Sequence, residues 1–379
     1  MPPLALYVHL PWCVRKCPYC DFNSHTAGTD APRARYIAAL LADFDVEAGR
    51  AAGRPLTSIF LGGGTPSLFP PADIDQLLSG IRARFELGAD LEITMEANPG
   101  TVECGDPEGY RAAGINRLSI GAQSFDAVML TKLGRIHSVD DTARAVDAAR
   151  TAGFANLNID LMFGLPGQDI DGAMADLRAA FALRPSHLSW YQLTLEPNTV
   201  FHSRPPPHMP SDDLSADIQA AGQALLIEHG FEQYEVSAYA RNGQTCRHNL
   251  NYWSFGDYLA AGAGAHGKIT DSAGIWRYAK KANPLGYMQA LESGEAVAVL
   301  SALDERELVF EFMLNALRLT HGFELGLFTS RTGLPAEVLS ERLLAVSNRG
   351  LMEEPVSGFW RASGLGLRFL NDLQAEFLP

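Results

Sequence analysis

Six short β-rich runs, at 5–11, 57–62, 91–98, 117–122, 157–163 and 187–195, recur along the chain with helical patterns between them. Between the first two, Tyr36, Ile37, Leu40, Leu41 and Phe44 repeat at the spacing of one helix face. Similar stretches fill 74–85 and 142–153, and another lies around 173–181. Strand and helix in alternation predict a parallel sheet with helices outside it. Right-handed crossovers curl six such strands into a full or partial (β/α)6 barrel, so the predicted class is α/β. In such folds ligands sit at the C-terminal ends of the strands.

The pattern breaks at Arg204-Pro205-Pro206-Pro207-His208-Met209-Pro210, where proline density predicts a loop. A helix over 211–229 and a strand near 234–239 follow, then a glycine-rich loop over 260–267. From about 301 the character changes. Helices over 304–319 and 334–349, a hairpin over 350–362 and a last helix over 365–377 describe an α+β, winged-helix-like domain. Eleven acids against seven bases in 301–379 argue against nucleic-acid binding and for a packing or lid role. The expected division is 1–205 barrel, 206–300 extension and connection, and 301–379 winged-helix-like domain.

Charge narrows the partners. The 379 residues carry a formal −14, which disfavours a broad phosphate-binding surface. No apolar run reaches the roughly 18 residues of a membrane span, and the first residues lack a signal-peptide pattern, so a cytoplasmic location is expected. A reducing compartment disfavours a disulfide framework among the five cysteines. Three of them crowd into Cys13-x-x-x-Cys17-x-x-Cys20 directly after the first strand.

Three thiolates from one loop suit three irons of a [4Fe–4S] cluster and leave the fourth iron open to a small chelating molecule. Zinc and a chance group of buried thiols are the alternatives; a structural zinc needs four ligands, and only the distant Cys104 and Cys246 remain. Gly62-Gly63-Gly64-Thr65 ends the second strand, a turn that either approaches a ligand or is simply tight. Glu96, Gln123 and Asp160 bring polarity to strands expected to be buried, and Arg135 joins them. A buried carboxylate needs a partner, which ribose hydroxyls, an amine or an internal arginine would supply. His9 is expected to hydrogen-bond a cluster sulfur or a loop carbonyl. Neither it nor His25, His137, His187 or His266 is assigned a catalytic role, and Cys104 reads as a surface or packing thiol.

The cysteine spacing resembles the signature of radical S-adenosylmethionine (SAM) enzymes. The stretches Tyr7–Cys13, Gly62–Ser67, Glu96–Pro99, Gly121–Phe125, Gly134–His137 and Asp160–Gln168 resemble the branch holding coproporphyrinogen III dehydrogenase (HemN) and the heme chaperone HemW. The resemblance implies a radical SAM partial barrel, with SAM chelating the open iron and accepting one electron from the reduced cluster. It places Tyr7, Gly63, Glu96 and the three cysteines at the first SAM and its cluster. By analogy with the dehydrogenase, Tyr19, Gly64, Thr65, Gln123, Arg135 and Asp160 would line a second SAM site.

Within that branch the chain is more similar to the chaperone. The dehydrogenase has a fourth cysteine where Phe22 stands and an extension before its first strand; this chain reaches its first strand by Ala5. Cys246-Arg247-His248-Asn249-Leu250-Asn251-Tyr252-Trp253 carries the chaperone's His-Asn-x-x-Tyr-Trp pattern. Imidazole and thiolate are common axial ligands of heme iron. His248 leads and Cys246 follows as heme candidates, with Asn249, Tyr252 and Trp253 beside them; a satisfied core network is the alternative. The resemblance implies heme delivery to client hemoproteins, respiratory enzymes among them, with an electron donor, transient membrane contact and a cluster-dependent dimer. The competing activity is oxygen-independent oxidative decarboxylation of coproporphyrinogen III.

Overall fold

The computed structural model describes every residue except 29–30, 101–104 and 296–297, so Cys104 lies outside the described residues. The barrel strands are β1 (Leu4–Leu10), β2 (Leu56–Gly63), β3 (Leu87–Ala97), β4 (Arg117–Gln123), β5 (Asn156–Phe163) and β6 (His187–Gln192). Helices α1 (Arg33–Ala51), α2 (Pro71–Arg82), α3 (Pro107–Ala113), α4 (Val139–Thr151) and α5 (Ile170–Ala182) link them. Each strand pairs in parallel with the next. This is the predicted β/α alternation, and the partial barrel with a C-terminal α+β domain is the observed class.

Period-two alternation divides each strand between two environments. On β1, Leu6, Val8 and Leu10 join the core with Tyr36, Ile37 and Leu40 of α1. Tyr7 and His9 take the opposite, interior face. The interior face of the sheet is unusually polar: Ser58, Glu92, Thr94, Arg117, Ser119, Asn158 and His187 are all buried. Polar groups there must satisfy one another. His187 does so with both ring nitrogens, one to Asn158 Oδ1 at 2.6 Å and one to the Tyr234 hydroxyl at 2.7 Å.

The chain from 206 onward extends the same sheet at both edges. After α6 (Asp212–Glu228), β7 (Glu232–Glu235) and β8 (Ala238–Ala240) add to β6. After α7 (Arg247–Trp253), β9 (Asp257–Ala261) runs parallel to β1, followed by β10 (His266–Asp271), β11 (Gly274–Ala279), α8 (Pro284–Glu292) and β12 (Val299–Ala302). The order is β12-β11-β10-β9-β1-β2-β3-β4-β5-β6-β8-β7. Two expectations change. The strand expected near 234–239 is a hairpin of two. The expected loop over 260–267 begins inside β9 and ends inside β10: Gly262 and Gly264, at φ +106° and +75°, make the turn, while Ala260 and Ala261 complete the parallel pairing to β1.

The C-terminal part has its own core around Phe312, Phe328, Leu339 and Leu343, which Phe255 and Ile275 of the preceding region also enter. It contains α9 (Glu305–Ala316), α10 (Leu325–Thr332), α11 (Glu337–Asn348) and a three-stranded sheet from Phe323–Glu324, Met352–Val356 and Phe359–Ala362. The sequence reading missed α10, which Gly333 ends in the left-handed conformation at φ +75°. The expected last helix is two short ones, Gly364–Arg368 and Leu370–Ala375, broken at Phe369.

Candidate metal and cofactor centre

The cysteine loop leaves the C-terminal end of β1 and is tied down from several directions. The His9 ring donates from Nε2 to the Asn23 carbonyl at 2.9 Å. A carbonyl can only accept, so Nδ1 is the acceptor and takes the Tyr7 hydroxyl proton at 3.0 Å. Asn23 donates its amide to the carbonyls of Ala263 and Ala282, at 3.0 and 2.7 Å. Burial pulls the His9 ring below its ordinary range and keeps it neutral.

The glycine turn after β2 packs against this loop. Gly63 sits at φ +110°, and a Cβ there would lie 2.3 Å from the His9 ring. A Cβ on Gly64 would lie 2.6 Å from the Trp12 carbonyl oxygen. The Gly64 and Thr65 amides donate to the carbonyls of Leu10 and Trp12, both at 2.8 Å. The protein's own backbone therefore already demands these glycines.

A cavity of about 320 Å³ opens at this edge of the barrel. Cys13, Cys17, Cys20, Tyr19, Gly63, Gly64, Thr65, Glu96, Gln123, Arg135 and Asp160 all line it. Tyr7 is not among the lining residues; it lies below, stacked on Phe60 with ring centroids 6.2 Å apart. Glu96 accepts the Gly63 amide at 3.1 Å. Its carboxyl is pushed up to about 7, by burial first and the nearby Asp160 second. Asp160 is also raised by burial, against hydrogen bonds that include those from Ser119 at 3.0 Å and Asn158 at 2.7 Å.

Tyr191, Asn98 and Ser119 are among the lining residues not singled out from sequence. Tyr191 donates to Gln123 Oε1 at 2.8 Å, fixing a side chain whose backbone is left-handed at φ +69°. Asn98 accepts from Arg135 at 2.7 Å and donates to Thr65 Oγ1 at 3.0 Å. Ser119 holds Asp160. Asn98 stands in the quoted Glu96–Pro99 stretch and Ser119 on a predicted strand, but nothing in their spacing reveals their partners.

The donor set fits an iron–sulfur cluster. The three thiols are free and partly exposed around one cavity. Among the described residues no three Cys, His, Asp or Glu side chains gather about a single ion, whereas a cluster takes one thiolate per iron. Burial raises the Cys13 and Cys20 thiols, a cost that binding iron would offset. Cys246, the only other described cysteine, is buried elsewhere, so among the described residues no fourth thiolate reaches the cavity.

The His-Asn-x-x-Tyr-Trp stretch lies apart from this cavity, on α7. His248 is 1% exposed. Its Nδ1 bonds Ser58 Oγ and its Nε2 the Tyr252 hydroxyl, both at 3.0 Å, and its ring packs on Phe60 at 5.1 Å. Burial, then the Arg117 charge, pushes it down to about 3. Cys246 is fully buried beside Glu92, and burial pushes its thiol up to about 12. Both ring nitrogens of His248 are engaged in this structure and Cys246 is a sealed thiol, so neither presents a ligand at the surface. Tyr252 is half-buried, its ring edge-on to Tyr258 at 4.3 Å. Asn249 and Trp253 are half-buried, and the Arg318 guanidinium lies 4.3 Å from the Trp253 ring centre.

The family model of the radical SAM superfamily matches residues 7–180. The heme chaperone HemW of Escherichia coli is 48% identical over 381 residues, covering 100% of this chain and 99% of its own. That of Haemophilus influenzae is 45% identical, covering 100% and 98%. The solved structure of E. coli coproporphyrinogen III oxidase (HemN) matches in fold with a TM-score of 0.83 at 24% identity, covering 99% of this chain and 90% of its own. With full-length relatives at these identities and the three-cysteine cavity at the strand ends, this chain belongs to the HemW family of radical SAM proteins.

Proposed function

We propose that this protein is a heme chaperone that holds a [4Fe–4S] cluster and SAM at the barrel mouth, binds heme and delivers it to client hemoproteins. The observation that carries this reading is end-to-end similarity, at 48% identity, to a protein named heme chaperone HemW. Cys13, Cys17 and Cys20 would hold the cluster. Tyr7, Gly63 and Glu96 would serve the first SAM. Tyr19, Gly64, Thr65, Gln123, Arg135 and Asp160 would serve the rest of the cavity and a second SAM. Bound and reduced, such a cluster supplies one electron to the SAM sulfonium.

The chain's own groups prepare the cavity. Glu96, at about 7, takes up full negative charge when an ammonium arrives. Tyr191 and Asn98 keep Gln123 and Arg135 from collapsing into the space. The division into 1–205, 206–300 and 301–379 follows these roles: cluster and SAM, heme motif, and a packing or lid unit. Heme would first meet Asn249 and Trp253, the accessible side of the motif, and reach His248 or Cys246 only after the Tyr252 and Ser58 bonds open. Respiratory enzymes as clients, a separate electron donor, transient membrane contact, a cluster-dependent dimer and a cytoplasmic location belong to the same reading. Among the described residues no helix is long and apolar enough to cross a membrane.

An anaerobic heme titration of the reconstituted protein, followed by the Soret band, tests it with wild type beside His248→Ala. Saturable binding in wild type is expected, with an altered Soret spectrum in the variant. Absence of specific binding in wild type, together with conversion of coproporphyrinogen III to protoporphyrinogen, would overturn the chaperone reading in favour of the dehydrogenase.

A further inference from the structure

Each thiol of the cavity has a polar side chain beside it. Thr65 lowers the Cys13 thiol against the rise that burial causes. Ser24 Oγ lies 3.8 Å from Cys20 Sγ. Arg135 donates from Nη1 to Cys17 Sγ at 3.7 Å. Of these three only Arg135 is charged, and a guanidinium keeps its charge at every accessible pH.

Arg135 is also held in place. Its Nη2 donates to Asn98 Oδ1 at 2.7 Å and to the Gly121 carbonyl at 2.9 Å. Asn98 also donates to Thr65 Oγ1 at 3.0 Å, tying Arg135 to the side chain beside Cys13. One amide thus links the polar neighbours of two different thiols.

We propose that Arg135, positioned by Asn98, sets the reduction potential of the cluster held by Cys13, Cys17 and Cys20. The inference rests on the cluster assignment proposed above. Reduction adds one electron to the cluster and so one negative charge to its thiolate–sulfide frame. A fixed cation donating to one of those sulfurs stabilises the reduced form more than the oxidised form, and hydrogen bonds to sulfur are an established lever on cluster potentials. Lys16 is the comparison. Its ammonium donates to the carbonyls of Phe22 and Ser24, at 3.0 and 3.3 Å, not to a sulfur, and its exposed charge acts on Cys20 only through water and salt that screen it.

The test is a redox titration of the anaerobically reconstituted, SAM-free protein, read by the electron paramagnetic resonance of the reduced cluster. Wild type, Arg135→Gln, Arg135→Lys, Asn98→Ala and Lys16→Gln are compared. Arg135→Gln is expected to make the cluster about tenfold harder to reduce, about 59 mV lower for a one-electron couple. Arg135→Lys should recover part of the shift, Asn98→Ala should fall between, and Lys16→Gln should stay near wild type. A loaded Arg135→Gln protein titrating with wild type overturns the proposal. If that variant loses its iron, unshifted potentials in Arg135→Lys and Asn98→Ala overturn it instead. A wild-type protein that takes up no cluster fails the cofactor assignment itself, a distinguishable result.

Discussion

At the scale of single residues, Glu96 shows how packing rewrites chemistry. A glutamate titrates near 4.5; this one is pushed to about 7 because burial strips its water and Asp160 adds a second negative charge, only partly offset by the Gly63 amide. Below the ordinary value the carboxyl is protonated whether the chain is folded or not, and nothing is lost. As pH rises from about 4.5 through 7, the unfolded chain sheds the proton while the fold retains it, so stability falls across that window. Glu96→Gln should remove that component: the cofactor-free variant should gain on wild type in thermal midpoint as pH rises from 4.5 to 7.5. Parallel midpoint curves for the two proteins would refute the assignment of this carboxyl. A glutamate on a predicted strand is visible in sequence; its raised titration is not, because Asp160 and the Gly63 amide arrive from other strands.

At the scale of elements, the cysteine loop between β1 and α1 presents the three thiols proposed to hold the cluster, and Asn23 is its anchor. The amide reaches carbonyls 240 and 259 residues away, at Ala263 and Ala282, while its own carbonyl takes the His9 proton. The Tyr36 hydroxyl reinforces the same junction by donating to the His9 carbonyl at 2.9 Å and accepting the Ala263 amide at 2.8 Å. Asn23→Ala leaves two carbonyls without that donor, a loss of about 1–3 kcal/mol. The variant should release iron faster on gel filtration and unfold at lower denaturant. Iron retention and unfolding midpoint equal to wild type would remove Asn23 from this role. The cysteine spacing announces the loop, but its fastening depends on the turn after β9, which the sequence reading treated as one long loop.

At the scale of the whole molecule, α7 is the joint between the barrel and the C-terminal unit. Its inner side meets β2 and β3 through His248 and Cys246. Its outer end is gripped by the C-terminal unit: Arg331 donates to the Ser254 carbonyl at 3.1 Å, Arg318 covers Trp253, and Phe255 packs edge-on against Phe312 at 5.8 Å. The Arg318 contact with Trp253 is worth about 0.5–2 kcal/mol. Arg318→Ala combined with Arg331→Ala should therefore raise amide hydrogen exchange over 247–255 by about tenfold or more while leaving β4 protected. Exchange unchanged at α7 would mean that the C-terminal unit does not hold the motif closed.

The sequence alone determined what depends on neighbours along the chain. Strand and helix alternation specified the barrel, because periodicity needs no knowledge of partners. Three cysteines within one loop marked the candidate metal site, because the donors come from a single segment. Tertiary structure alone decided which groups are sealed and which are open. His248 reads in sequence either as a heme contact or as part of a satisfied core network; in the fold Ser58, Phe60 and Tyr252 close around it. The end of strand β9 was hidden by the glycine-rich turn that follows it, because its pairing partner is the first strand of the chain. Asn98 and Tyr191 looked ordinary because a hydrogen bond across strands leaves no trace in local spacing. Burial and partnership are properties of the packed sheet, and only the folded chain expresses them.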